Sequence, residues 1–99
     1  MTPRDRLVAR NTRELAEILD LPAAELYAVE LRLQFAHRIR QEVARRELTH
    51  AQAAKLTRTS RSRMTAILDG GIVGISTDLL LRVLGSLGLR AKVSFMRAA

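Results

Sequence analysis

An all-α fold of about five helices, closed by a short C-terminal β-strand, is what the sequence predicts. Three observations predict it. Apolar residues recur at helical spacing through most of the chain. Asn, Thr or Ser stands ahead of several of those runs, where a side-chain oxygen can accept from a free amide of the first turn. One segment, residues 90–96, changes to a period of two. The 99 residues make a single domain spanning 1–99. A chain of that size buries about 60–65% of its unfolded surface, enough for one modest core.

The N-terminal helices are expected over residues 11–46. Asn11 is placed as an N-cap, with Glu14 at the third helical position, and Leu15, Ile18 and Leu19 form one stripe. The helix stops before Leu21-Pro22, because proline disfavours helix in the residue preceding it. Pro22 can open the next helix, where its missing N–H loses nothing. That second helix runs to about Arg46 with two apolar rows. Leu26, Val29, Leu33 and Ala36 form the earlier row, read as covering the first helix. Phe35, Ile39 and Val43 form the later row, read as facing the main core. Arg32, Arg38, Arg40, Glu42 and Arg45 read as a solvated helix surface, and His37 among them as exposed.

Residues 49–69 hold two short helices. Thr49 with Gln52 three positions later is a capping box, satisfying two orphan amides reciprocally, and Leu48 and Ala53 flank it as a hydrophobic staple. This helix ends near Leu56 or Thr57. Ser60 caps the next, residues 61–69, whose inner face is Met64, Ile67 and Leu68. Gly70-Gly71 supplies the left-handed conformation that ends many helices. A final helix is expected over residues 76–88, capped by Ser76, with Leu79, Leu80, Val83, Leu84 and Leu87 inward and Gly88 as its stop. Gly85 inside it costs roughly 1 kcal/mol relative to Ala, which suggests a close helix approach there. In residues 90–96, Ala91, Val93 and Phe95 alternate with Lys92 and Ser94, as in a half-buried strand. No other segment alternates, so its ladder partner is expected to be a second chain, giving a homodimer.

Composition narrows the function classes. Hydrophobic residues are 47%, charged residues 27% and aromatics 3%, which fits a folded globule with an aliphatic core. There is no cysteine; disulfides, thiolate metal sites and cysteine nucleophiles are excluded. No apolar block follows the charged N-terminus and no run approaches a ~20-residue span, so a cytoplasmic protein with no membrane partner is expected. The net charge is +7. Residues 1–47 carry 9 basic and 8 acidic side chains, and residues 48–99 carry 8 basic and 2 acidic, so the excess lies in the second half. Lys55, Arg58, Arg61 and Arg63 fall in nine positions without an acid. Such a field favours a polyanion. RNA readers and membrane-surface helices both want exposed aromatics, which are scarce here. Enzyme chemistry lacks its parts. Gly70-Gly71-Ile72-Val73-Gly74 has no following Lys-Ser/Thr, no nucleophile elbow surrounds any serine, and His37 and His50 have no carboxylate cluster to complete a metal site. No cofactor and no catalytic residue are expected.

Two short helices joined by a polar four-residue turn, Thr57-Arg58-Thr59-Ser60, have helix-turn-helix spacing. In that motif the first helix crosses the DNA backbone and the second enters the major groove with its early residues on base edges. Leu48-Thr49-His50-Ala51-Gln52-Ala53-Ala54-Lys55-Leu56 followed by Ser60-Arg61-Ser62-Arg63-Met64-Thr65-Ala66-Ile67-Leu68-Asp69-Gly70 resembles the Xre/Cro-type helix-turn-helix. With Leu21-Pro22-Ala23-Ala24-Glu25, Ile75-Ser76-Thr77-Asp78-Leu79-Leu80 and Leu84-Gly85-Ser86-Leu87-Gly88-Leu89, the resemblance extends to the subgroup that includes HigA-like antitoxins. It covers about residues 11–95.

The resemblance implies a lambda-repressor-like bundle and a sequence-specific transcriptional repressor. In the antitoxin subgroup such a protein autoregulates its operon and binds a toxin. It also implies site roles. Arg61, Ser62, Thr65 and Ala66 would read bases; Thr49, His50, Gln52, Arg58 and Arg63 would hold phosphates. The partners would be a pseudo-palindromic duplex operator, a second copy of the chain, and a cognate toxin protein. This chain departs from the family at His50, where Gln is usual, and at Thr57-Arg58-Thr59, where Leu-Gly-Val is usual. The second departure removes the turn glycine and two apolar residues from the core beneath the motif. An alternative is a protein-interaction module that retains the fold and uses its basic face on an acidic partner; another is a stand-alone regulator with no toxin.

Overall fold

The computed structural model describes residues 22–97. The helix expected over residues 11–20 lies outside the described residues, whereas the row expected to cover it lies within them. Within them are four α-helices and no strand: α1 Ala23–Arg45, α2 His50–Thr57, α3 Arg61–Asp69 and α4 Thr77–Ser86.

Long α1 is the spine. It packs on α4 and α3, while α2 packs on α3 and α4. Phe35, Ile39 and Val43 of α1 enter the main core, as their i, i+4, i+8 spacing predicts. They meet Ala53 and Ala54 of α2, Met64 and Ile67 of α3, and Leu80, Val83, Leu84 and Leu87 at α4. Ile72 and Ile75 close the core from the loop between α3 and α4. The earlier row on α1 divides. Ala36 joins the main core, Leu26 is buried outside it, and Leu33 is exposed.

Local signals set the helix boundaries. Thr49 Oγ1 accepts from the Gln52 amide at 3.1 Å, and Gln52 Oε1 accepts from the Thr49 amide at 2.8 Å, so the capping box is complete. Ser60 accepts from the Arg63 amide and Ser76 from the Leu79 amide, both at 3.1 Å. Gly70 ends α3 with φ +86°, the left-handed geometry that favours glycine. Pro22 stands just outside α1 as its N-cap rather than as its first residue.

Four expectations are corrected. Residues 90–96 form no strand, because nothing among the described residues alternates beside them and a ladder needs a partner. Val93 and Phe95 are accordingly exposed rather than half-buried. Gly85 marks no close approach: a Cβ placed there meets nothing within 4 Å. Glu42 is not part of a solvated surface; it is 2% exposed. Arg38, Arg45 and Arg46 all hydrogen-bond its carboxylate, Arg38 at 3.3 Å and Arg46 at 2.7 Å. Bonds from Arg45 and then Arg46 lower its pKa from 4.5 to about 2, overcoming the opposing effect of burial. Nor is Arg40 purely solvated, since its Nη1 donates to the Ile67 carbonyl of α3 at 3.1 Å.

Candidate nucleic-acid interface

The site begins with the turn between α2 and α3. Arg58 there is left-handed, φ +53° and ψ +43°, although it carries a Cβ. The Thr59 amide donates back to Ala54 O at 2.9 Å, closing the end of α2. On either side, Thr57 and Thr59 are buried. Thr57 Oγ1 donates to Ala53 O at 2.8 Å, and the two threonine hydroxyls lie 3.1 Å apart.

Arg82 of α4 locks this turn from below. Its Nη1 donates to the Thr57 carbonyl at 2.8 Å and to the Arg58 carbonyl at 3.4 Å, and its Nη2 to Thr59 Oγ1 at 3.3 Å. Thr57 and Thr59, where the resemblance led to the expectation of apolar residues, thus form a satisfied polar cluster with Arg82. Among the described residues no buried side-chain polar atom lacks a partner. Sequence reasoning missed Arg82 as a site residue. The available signal was the pair of threonines flanking the turn, since hydroxyls taken into a core need donors and acceptors.

At the start of α2, Thr49 is exposed and its side-chain oxygen is occupied as an acceptor. Its hydroxyl hydrogen remains to donate outward. Gln52 spends its carbonyl oxygen on the cap, and its NH2 has no partner among the described residues. His50 lies against α3: its Nδ1 is 3.2 Å from Thr65 Oγ1, and its Nε2 is 4.0 Å from Asp69 Oδ1.

Arg61, Ser62 and Arg63 occupy the first turn of α3 with exposed side chains. Thr65 and Ala66, one turn on, are half-buried, and Ala66 also packs on the core. Met64 and Ile67 are fully buried. The structure therefore brings Arg61, Ser62, Thr65 and Ala66 onto one short helix, with Thr49, His50 and Gln52 at the start of the helix packed against it. Arg58 lies in the turn joining the two.

Some of the described cations are bonded within the fold; others, Arg32, Arg90, Lys92 and Arg97 outside the motif among them, have no partner among the described residues. Arg38, Arg45 and Arg46 are taken up by Glu42, Arg40 by α3 and Arg82 by the turn. Lys55, Arg58, Arg61 and Arg63 are exposed, and their side chains have no hydrogen-bond or ion-pair partner among the described residues. Among those residues no group of three or more His, Asp or Glu stands where it could hold a metal ion. No described helix is long and apolar enough to cross a membrane.

Residues 12–96 match a family described as helix-turn-helix domain. No curated protein and no solved structure matches the chain.

Proposed function

Because the chain belongs to the helix-turn-helix domain family, we propose that it is a sequence-specific, duplex-DNA-binding transcriptional repressor that works without catalysis. The observation that carries this reading is the set of exposed cations on the motif, Lys55, Arg58, Arg61 and Arg63, which stand in one acid-free stretch and lack protein partners among the described residues, whereas Arg38, Arg40, Arg45, Arg46 and Arg82 are bonded within the fold. Unpaired charge at the start of a groove helix is what phosphate and base contacts require.

In this reading α3 enters the major groove. Arg61 and Ser62 reach base edges first; Thr65 and Ala66 follow one turn later, with the Ala66 methyl suited to a thymine methyl. Thr49, His50 and Gln52 grip one phosphate run from the start of α2, and Arg58 and Arg63 grip another.

A homodimer completes the reading. Val93, Phe95 and Met96 are 54%, 95% and 88% exposed, and the amides of residues 90–96 make no backbone hydrogen bond among the described residues. Pairing with the same segment of a second copy would satisfy those groups in a two-fold contact. Two groove helices about 34 Å apart then call for a pseudo-palindromic operator.

The resemblance of the sequence to HigA-like antitoxins adds a toxin partner. Co-expression with the product of an adjacent reading frame tests that part separately.

The central test is selection of a duplex from a random library by the full chain, followed by titration. Affinity should fall by about 10³–10⁵ between 50 and 200 mM salt if a dimer covers ~6–10 phosphates. Arg61→Ala should lose about 1–3 kcal/mol on the selected duplex and relax one base-pair preference. Equal binding of wild type and Arg61→Ala to selected and scrambled duplexes would refute base reading by α3. Binding of an acidic protein with no duplex selected would favour the interaction-module alternative.

A further inference from the structure

The contact between His50 and Thr65 joins the backbone-crossing helix to the groove helix through two side chains, and its hydrogen-bond polarity has a consequence for base choice. Nδ1 and Oγ1 lie 3.2 Å apart, so one hydrogen sits between them. Either the ring or the hydroxyl supplies it. The other ring nitrogen, Nε2, faces the Asp69 carboxylate at 4.0 Å. A carboxylate beside Nε2 favours the tautomer that carries its hydrogen there, which leaves Nδ1 with a lone pair. Thr65 must then donate its hydroxyl hydrogen to Nδ1. A hydroxyl with its one hydrogen committed keeps only acceptor capacity. Thr65 Oγ1 has no other hydrogen-bond partner among the described residues, and it belongs to the half-buried second turn of α3.

We propose that His50 makes Thr65 an acceptor-only reader, so that Thr65 selects a base presenting an exocyclic amine in the major groove, adenine through N6 or cytosine through N4, on the strand it faces. The inference rests on the reading of α3 as the groove helix. A free threonine hydroxyl serves donor and acceptor bases alike and discriminates little. One whose hydrogen is taken rejects guanine and thymine, whose major-groove edges offer only acceptors.

The experiment uses the full chain and the duplex it selects from a random library. The base pair read by Thr65 is located as the one whose preference Thr65→Val flattens; valine keeps the β-branch and puts a methyl in place of the hydroxyl. Four duplexes differing only at that pair are titrated with wild type, His50→Ala, Thr65→Val and Thr65→Ser. Wild type and Thr65→Ser should prefer adenine or cytosine over guanine or thymine on the contacted strand by about three- to tenfold, the worth of one hydrogen bond. His50→Ala should bring that ratio close to one while remaining folded by circular dichroism. A wild-type preference for guanine or thymine overturns the proposal, as does a position that Thr65→Val leaves unchanged. A uniform loss across all four duplexes in His50→Ala, with the ratio intact, also overturns it and leaves His50 as a phosphate contact alone. Selection of no duplex at all removes the groove-helix reading itself, an outcome distinct from the others.

Discussion

Replacing Arg58 by glycine should make the protein more stable and bind DNA less well. The two effects come from different atoms. Arg58 holds φ +53° in the turn between α2 and α3. For a residue with a Cβ, that left-handed conformation costs about 1–2 kcal/mol. Glycine removes the steric penalty and adds back about 0.5–1 kcal/mol through the larger entropy of its unfolded chain. The net gain is about 0.5–1 kcal/mol, or about 2–8 °C in melting temperature for a chain of this size. The bonds that anchor the turn survive, because Arg82 donates to the carbonyls of Thr57 and Arg58 and to Thr59 Oγ1, not to the Arg58 side chain. DNA binding loses one cation per protomer. The slope of log affinity against log salt should shrink by about 0.9 per protomer, with the same loss on selected and scrambled duplexes. Arg58→Ala separates the terms: it removes the charge but keeps the strained Cβ, so it should bind like the glycine variant and melt like wild type. Thermal denaturation and salt-series titration measure both. If Arg58→Gly melts below wild type, the turn is not storing strain at this position. If its affinity loss depends on duplex sequence, Arg58 reads bases rather than holding phosphate.

Arg82→Gln should lower stability by about 1–2 kcal/mol through loss of its bonds to the turn, and reduce DNA affinity without touching DNA; denaturation by urea with parallel titration checks both. Gly85→Ala should raise stability by about 0.5–1 kcal/mol, because the added methyl meets nothing within 4 Å, and leave DNA binding unchanged. Glu42 sets a pH dependence. Its folded pKa of about 2 lies below the ordinary 4.5, so its contribution to stability is present above pH 4.5 and is lost as pH falls toward 2. Glu42→Gln should melt lower at neutral pH and show a shallower loss of stability between about pH 4.5 and 2; equal slopes for the two proteins would assign acid sensitivity elsewhere. Val93→Pro should weaken dimerisation and DNA binding together while helicity persists, and a dimer surviving at micromolar concentration in sedimentation would move the interface off residues 90–96.

The parts of the fold legible in the sequence are those coded by neighbours. Thr49 with Gln52, Ser60 and Ser76 each cap the helix that follows them, because the hydrogen bonds involved span only three residues. The row Phe35, Ile39 and Val43 was legible for the same reason: apolar side chains at helical period have one way to be buried together. Glu42 was not. It lies three residues beyond Ile39, on the buried side, yet a carboxylate among arginines looks the same in sequence whether the cluster is solvated or folded over it. The conformation of Arg58 was hidden too, because left-handed backbone is announced by glycine and here the surrounding bonds impose it on arginine. At the candidate site, the residue set could be read from motif spacing. Its internal wiring could not, since His50 reaches Thr65 across fifteen positions and Arg82 reaches Thr57 across twenty-five.

Charge and fold are linked more tightly than the +7 net charge suggests. Much of the arginine in α1 is structural. Glu42 gathers three guanidiniums, and one of them, Arg46, also donates to the Leu87 carbonyl, tying the end of α1 to the end of α4. Arg40 ties α1 to the end of α3, and Arg82 ties α4 to the turn before α3. α3 and the turn leading into it are thus each held by an arginine from a neighbouring helix, chiefly through backbone carbonyls. A helix fixed in this way can present Arg61, Ser62 and Thr65 without ordering its own backbone on binding, which limits the entropy lost when a partner docks. The cations that remain unpaired on the motif can then act on the partner. If this division is right, removing a structural arginine such as Arg40 should lower stability and affinity together, whereas removing Arg61 should lower affinity alone. Parallel loss of stability in Arg61→Ala would show that the division does not hold.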